Sequence, residues 1–111
     1  MLPAQQVEGM TALEKEIERK LVDTVKAAGG VCVKWTSPGT TGLPDRIVLL
    51  PGGRVAFAEL KRPKGGRKGP LQPYWAGLLR RLGFVHWWVY CEADIEALME
   101  YLDERGGKTH V

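Results

Sequence analysis

Residues 42–61 read GLPDRIVLLPGGRVAFAELK. Two apolar, β-branched runs, RIVLL (46–50) and RVAFAELK (54–61), flank Pro51-Gly52-Gly53, and that composition predicts a β-hairpin closed by a tight connection. Its charges sit at the strand ends. Asp45 follows Pro44 at the mouth of the first strand, and the second strand finishes on Glu59-Leu60-Lys61. Side chains alternate faces along a strand, so Glu59 and Lys61 point the same way while Leu60 points into the other layer. Asp45 and Glu59 lie fourteen positions apart around the hairpin. An antiparallel return therefore brings the two carboxylates together at one end of the sheet.

The flanking sequence extends this hairpin into a complete domain. Residues 1–10 carry no periodic pattern and are expected to fray. From Thr11, a candidate N-cap with Glu14 three positions on, apolar residues recur at Leu13, Ile17, Leu21 and Val25 until Gly29-Gly30 stops the helix. VCVKW (31–35) reads as a strand and SPGTTGLP (37–44) as a turn-rich loop. Beyond the hairpin, RPKGGRKGP (62–70) places three glycines and two prolines among four basic residues, which makes it a loop. LQPYWAGLLRRLG (71–83) reads as a second helix that buries Leu71, Trp75, Leu78, Leu79 and Leu82 and ends at Gly83. FVHWWVY (84–90) is a fourth strand, apolar on both faces and so suited to a central or helix-covered position. ADIEALMEYLDERGG (93–107) is a third helix with Ile95, Leu98, Met99 and Leu102 inward. The order is α-β-β-β-α-β-α, an α/β domain over residues 11–105 with a mixed sheet flanked by helices and a short tail at 106–111.

Length and composition bound the function. With 111 residues, 44% of them hydrophobic, the chain can bury one core and is too short for two. Its apolar runs are too short to cross a bilayer, and MLPAQQVEGM lacks the basic-then-apolar pattern of a secretion signal. A soluble, cytoplasmic protein with no membrane partner is expected. Cys32 and Cys91 each sit in an apolar, strand-like run and are expected as buried free thiols. No Cys-x-x-Cys pair or Cys/His cluster speaks for zinc. His86 and His110 are isolated and read as a strand-edge and a tail histidine.

The net charge of +3 is less informative than its distribution. Between Leu60 and Cys91 there is no Asp or Glu, while Lys61, Arg62, Lys64, Arg67, Lys68, Arg80 and Arg81 all fall inside. From Glu92 to Glu104 the sign reverses. One cationic side is expected to meet a polyanion, with the last helix facing away. Arg62, Lys64, Arg67 and Lys68 follow Lys61 directly, where they would contact phosphates flanking a scissile one. A solubilising loop would have the same composition.

Paired carboxylates in a partly buried site repel unless they share a proton or a cation, and hard oxygen donors suit Mg²⁺ or Mn²⁺. The backbone carbonyl of Leu60 offers a third oxygen, and Lys61 stands beside it with three donors for an attacking water or a phosphate oxygen. Pro44-Asp45 followed by Glu59-Leu60-Lys61 resembles the PD-(D/E)XK nuclease signature. With Gly42, the glycine-rich hairpin and Gln72 opening the next helix, the chain is similar to the virus-type replication-repair nuclease (VRR-NUC) branch in its stand-alone, phage-like form, over residues 13–102.

The resemblance implies that Asp45 and Glu59 bind the metal, that Lys61 assists catalysis and that Gln72 lies beside the site. It also implies a helix-one glutamate at the metal. Glu14 fits that place best, and Glu18, one turn on along the same stripe, is the other candidate. Ordinary alternatives stand beside these readings: a first-turn carboxylate favoured by the helix dipole for Glu14, and a first-turn polar residue for Gln72. The expected activity is metal-dependent hydrolysis of DNA phosphodiesters. Branched substrates are implied, including flaps and four-way (Holliday) junctions in DNA repair, with a homodimer for symmetric junction cutting and a replication or repair protein as a further partner. The competing reading is a non-catalytic nucleic-acid-binding module. The complete acid-acid-lysine set disfavours it, and the small size of the chain disfavours a sequence-reading restriction enzyme.

Overall fold

A computed structural model describes residues 12–61 and 71–109. Helix α1 (Ala12–Ala27) is followed by strands β1 (Val31–Lys34), β2 (Arg46–Leu50) and β3 (Arg54–Leu60), then helix α2 (Gln72–Arg81), strand β4 (Val85–Val89) and helix α3 (Glu92–Thr109). The predicted element order holds. The predicted N-cap Thr11, the segment 1–10 expected to fray, the basic residues of 62–70 and His110 all lie outside the described residues. Among the described residues no helix is long and apolar enough to cross a membrane.

The four strands form one sheet in the order β1-β2-β3-β4. β2 and β3 are the predicted hairpin, antiparallel from Arg46↔Ala58 to Leu50↔Arg54. β4 joins β3 in parallel, with Phe57↔His86 and Glu59↔Trp88 in register. A parallel neighbour needs a crossover, and α2 supplies it. β4 is thus the last strand in the order, yet α2 and α3 both pack on it, which accounts for its apolar character on both faces.

Alternation divides the sheet into two faces. Cys32, Val48, Leu50, Ala56, Ala58, Leu60, Val85 and Val89 turn toward α1 and α3 and form the core with Ile17, Leu21, Val25, Ile95, Leu98 and Leu102. The opposite face carries Phe57, Glu59, His86 and Trp88, and Ala76 and Leu79 are the buried residues of α2, the helix that packs beside β4. Trp35, Phe57 and Phe84 stack along it, with centroids 5.2 Å and 5.6 Å apart for the two successive pairs. Beyond α2 the face stays open, and Val31, Val33 and Leu49 are exposed.

Several packing expectations are corrected. Leu13 is exposed and the buried stripe of α1 begins instead with Glu14, then Ile17, Leu21 and Val25. A carboxylate at the end of an apolar stripe is explained by where that end lies, beside Asp45. Leu71 and Leu82 are exposed because α2 is shorter than its apolar pattern, leaving both outside the helix, and Trp75 and Leu78 are only half-buried. Cys91 is exposed in the turn before α3, where the Asp94 carboxylate accepts from the backbone N–H of Tyr90 at 2.8 Å. Cys32 is the buried thiol expected, and burial pushes its pKa up to about 11, far from a reactive thiolate.

Candidate active site

The loop before β2 and the last residues of β3 meet at one sheet end. One register step beyond Arg46↔Ala58 sets Asp45 against Glu59, and the Asp45 backbone N–H donates to the Ala58 carbonyl at 3.1 Å. The Asp45 carboxylate turns back over the strand and accepts from the backbone N–H of Leu60 at 2.8 Å. Lys61 is anchored from the other side, its N–H donating to the Val89 carbonyl of β4 at 2.9 Å. Both β3 neighbours therefore hold the Glu59-Leu60-Lys61 backbone in place.

Glu59 is fully buried, at 0% exposure. The Gln72 side-chain amide donates to its Oε2. Its Oε1 has no hydrogen-bond partner among the described residues. Burial pushes the Glu59 pKa up from 4.5 to about 8, and the negative charge of Asp45 adds to the rise while Lys61 opposes it. Asp45 is raised as well, chiefly by burial. The Leu60 N–H and the Lys61 charge pull it down, and Glu18 and Glu14 push it up. Two acids that both resist ionising therefore sit at one sheet end, one of them with an oxygen that no described residue partners.

Both helix-one candidates act on Asp45, Glu18 more strongly than Glu14. Glu14 is buried, at 8% exposure, and close enough for its charge to act on Asp45. Glu18 already has a cation: Arg46 Nε donates to its Oε2 at 2.9 Å, and Arg46 Nη1 donates to the Cys32 carbonyl at 3.0 Å. Among the described residues no group of three or more His, Cys, Asp or Glu side chains is placed to hold a metal ion. Asp45 and Glu59 are the acids that meet at this end, and the Leu60 carbonyl is the backbone oxygen between them and Lys61.

Two features of the site were not foreseen. His86, read as an isolated strand-edge residue, is buried at 2% exposure with its Nε2 3.9 Å from Glu59 Oε1. Burial, reinforced by the Arg80 charge, lowers its pKa from 6.5 to about 4, so the imidazole is neutral and the contact is not an ion pair. The signal that finds it is the parallel β3–β4 register, which sequence periodicity does not carry. The second feature is a cleft of about 460 Å³ in which Lys15 and Lys34 lie beside Pro44 and Asp45, giving cationic side chains next to the acids from the α1 side.

Gly42 acquires a physical role. It lies at φ +88°, and a Cβ there would sit 2.5 Å from the Cβ of Leu71. The loop thus presses directly on the residue before α2, and Trp75 Nε1 donates to the Thr41 carbonyl at 3.2 Å to fasten the same contact. This docking sets Gln72 over Glu59.

No family model matches the sequence. Over 59 residues, 53% of this chain, it is 46% identical to "Putative nuclease p44" of Acyrthosiphon pisum secondary endosymbiont phage 1. The chain spans 62% of the length of that curated relative. A solved structure described as "VRR_NUC domain" superposes with a TM-score of 0.74 and 26% identity, covering 79% of this chain and 95% of the other.

Two outcomes follow from the geometry. A carboxyl whose folded pKa lies above its ordinary value favours the fold fully below pH 4.5 and loses that contribution as pH rises toward 8, because the unfolded chain ionises first. In EDTA, Glu59→Gln should therefore melt above the native protein at pH 8, by about 5 °C or more, with the gap closing toward pH 5. A gap independent of pH contradicts the buried acid. Gly42→Ala should lower stability clearly more than Gly39→Ala, which shares a positive φ but has nothing within 4 Å of its added Cβ. Equal melting points for these two variants would remove the close approach as the reason for Gly42.

Proposed function

We propose that this chain, a VRR-NUC domain, is a divalent-metal-dependent endonuclease that hydrolyses DNA phosphodiester bonds at the Asp45–Glu59 sheet end. The observation that carries the reading is Glu59. A fully buried carboxylate with an unpaired oxygen, beside a second raised carboxylate, is stable as an anion only with a cation between them. The donors are carboxylate and carbonyl oxygens, which fits Mg²⁺ or Mn²⁺ rather than a thiophilic metal. The kinship with the phage relative, whose name says nuclease, supports the same class of chemistry.

Asp45, Glu59 and the Leu60 carbonyl would hold the ion, with Glu14 joining directly or through water. A divalent ion held there would supply Lewis-acid polarisation of the phosphate and would make water a stronger nucleophile near neutral pH. Lys61, whose charge already acts on both acids, orients the attacking water and neutralises the developing phosphate charge. Gln72 fixes the plane of the Glu59 carboxylate through its amide hydrogen bond. Asp45 is held by the Leu60 N–H, so both ligands are oriented before metal or substrate arrives.

The substrate class we propose is branched DNA, a flap or a four-way junction. No helix beyond the three packed on the sheet is described that would read bases, which favours shape over sequence. Arg62, Lys64, Arg67 and Lys68, read from the sequence, and Lys15 and Lys34, which line a cleft with Asp45, would contact the phosphates flanking the cut. Symmetric cutting of a junction needs two such sites, hence a homodimer.

Asp45→Asn and Glu59→Gln should each lower Mg²⁺- or Mn²⁺-dependent cleavage of labelled flap and junction DNA by about a thousandfold or more while the fold persists. Cleavage at the native rate by either variant, or in EDTA, would displace the site. Neutralising Lys64, Arg67 and Lys68 together should weaken DNA binding and reduce the slope of log K against log salt by about 2 to 3. An unchanged slope would put the DNA on another face.

A further inference from the structure

We propose that His86 is a positioning residue for Glu59: from β4 its imidazole supports Oε1 while Gln72 supports Oε2, so the carboxylate is gripped at both oxygens. The inference rests on the metal-site reading above and adds a residue that neither the acid-acid-lysine set nor the sequence pattern identifies.

Three observations point the same way. His86 is on the same sheet face as Glu59, one strand over, because Phe57↔His86 and Glu59↔Trp88 are in register. Neither ring nitrogen of His86 has a hydrogen-bond partner among the described residues, and neither does Glu59 Oε1. The two orphaned ends face each other at 3.9 Å, with both side chains at 0% exposure. Buried polar atoms are ordinarily satisfied, and a shift of about 1 Å would turn this gap into a hydrogen bond.

The surroundings exclude a simpler reason for an imidazole. Trp88 lies edge-on to the ring at 4.9 Å, and Phe57 is its partner across the strand, so a purely apolar side chain would satisfy packing better. Arg80 fastens the strand here by donating Nη2 to the His86 carbonyl at 3.2 Å, which fixes the backbone from which the ring projects. An imidazole N–H at Nε2 can donate to Oε1. Each carboxylate oxygen keeps a second lone pair for the ion, so the grip orients Glu59 without occupying its ligand positions. The rigid parallel strand pair then replaces a flexible side chain as the support of a metal ligand.

His86→Met and His86→Gln separate this role from packing, since the two replacements match in length and are similar in volume, and only glutamine carries an amide that can donate to Oε1. Mn²⁺ alone is titrated into the full chain and its affinity read by calorimetry or by loss of the free-ion electron paramagnetic resonance signal, with folding checked by circular dichroism. The expected result is a loss of about 10- to 100-fold in Mn²⁺ affinity for His86→Met and recovery to within about threefold for His86→Gln. If His86→Met does not fold, His86→Phe takes its place as the donor-free variant. Equal Mn²⁺ affinity in the native protein and the folded donor-free variant overturns the positioning role and leaves the metal site standing. No Mn²⁺ binding by the native protein overturns both.

Discussion

The constraint on which this structure depends is the burial of Glu59. A carboxylic acid at 0% exposure is expensive to ionise, and its neighbour across the hairpin is a second acid that also resists ionising. The fold tolerates this because the surrounding groups are arranged for the anion: the Gln72 amide at one oxygen, the Lys61 charge beyond the strand end, and the Leu60 N–H at the carboxylate of Asp45. What those groups leave short is positive charge at the centre. The divalent cation proposed for this sheet end would supply it.

Every layer contributes to holding that point. The hairpin register fixes the separation of Asp45 and Glu59, and the parallel pairing of β4 pins the Lys61 backbone and presents His86. The short helix α2 closes over the acid, held in place by the contact of Gly42 with Leu71 and by the Trp75–Thr41 hydrogen bond. On the other face α1 brings the end of its buried stripe, Glu14, near enough for its charge to act on Asp45, as does the charge of Glu18, which Arg46 engages. The aliphatic core between α1, α3 and the sheet backs the strands that carry the acids.

The parts legible from sequence were those set by local pattern. The hairpin followed from two β-branched runs about Pro51-Gly52-Gly53, α1 from its apolar spacing, and the Asp45–Glu59 convergence from counting around the turn. The parts that were not legible depend on long-range pairing. His86 lies 27 positions from Glu59, and only the β3-α2-β4 crossover, with its parallel register, makes them neighbours. Leu13 and Glu14 compete for one helical stripe, and which is buried is decided by the sheet end that the helix covers, not by hydropathy. Leu71 and Leu82 continue an apolar pattern past the ends of the helix that carries it, so periodicity alone assigned them to a core they do not enter.

The central claim is that the Asp45–Glu59 end of the sheet is a divalent-cation site. Anomalous scattering from a crystal of the native protein grown or soaked in Mn²⁺ measures that position without reference to activity or substrate. The account predicts one peak at least, with oxygens of Asp45 and Glu59 and the Leu60 carbonyl about 2.0–2.3 Å from its centre. A fully soaked crystal with no peak there, or with Mn²⁺ bound only at other acids such as those of α3, would contradict it.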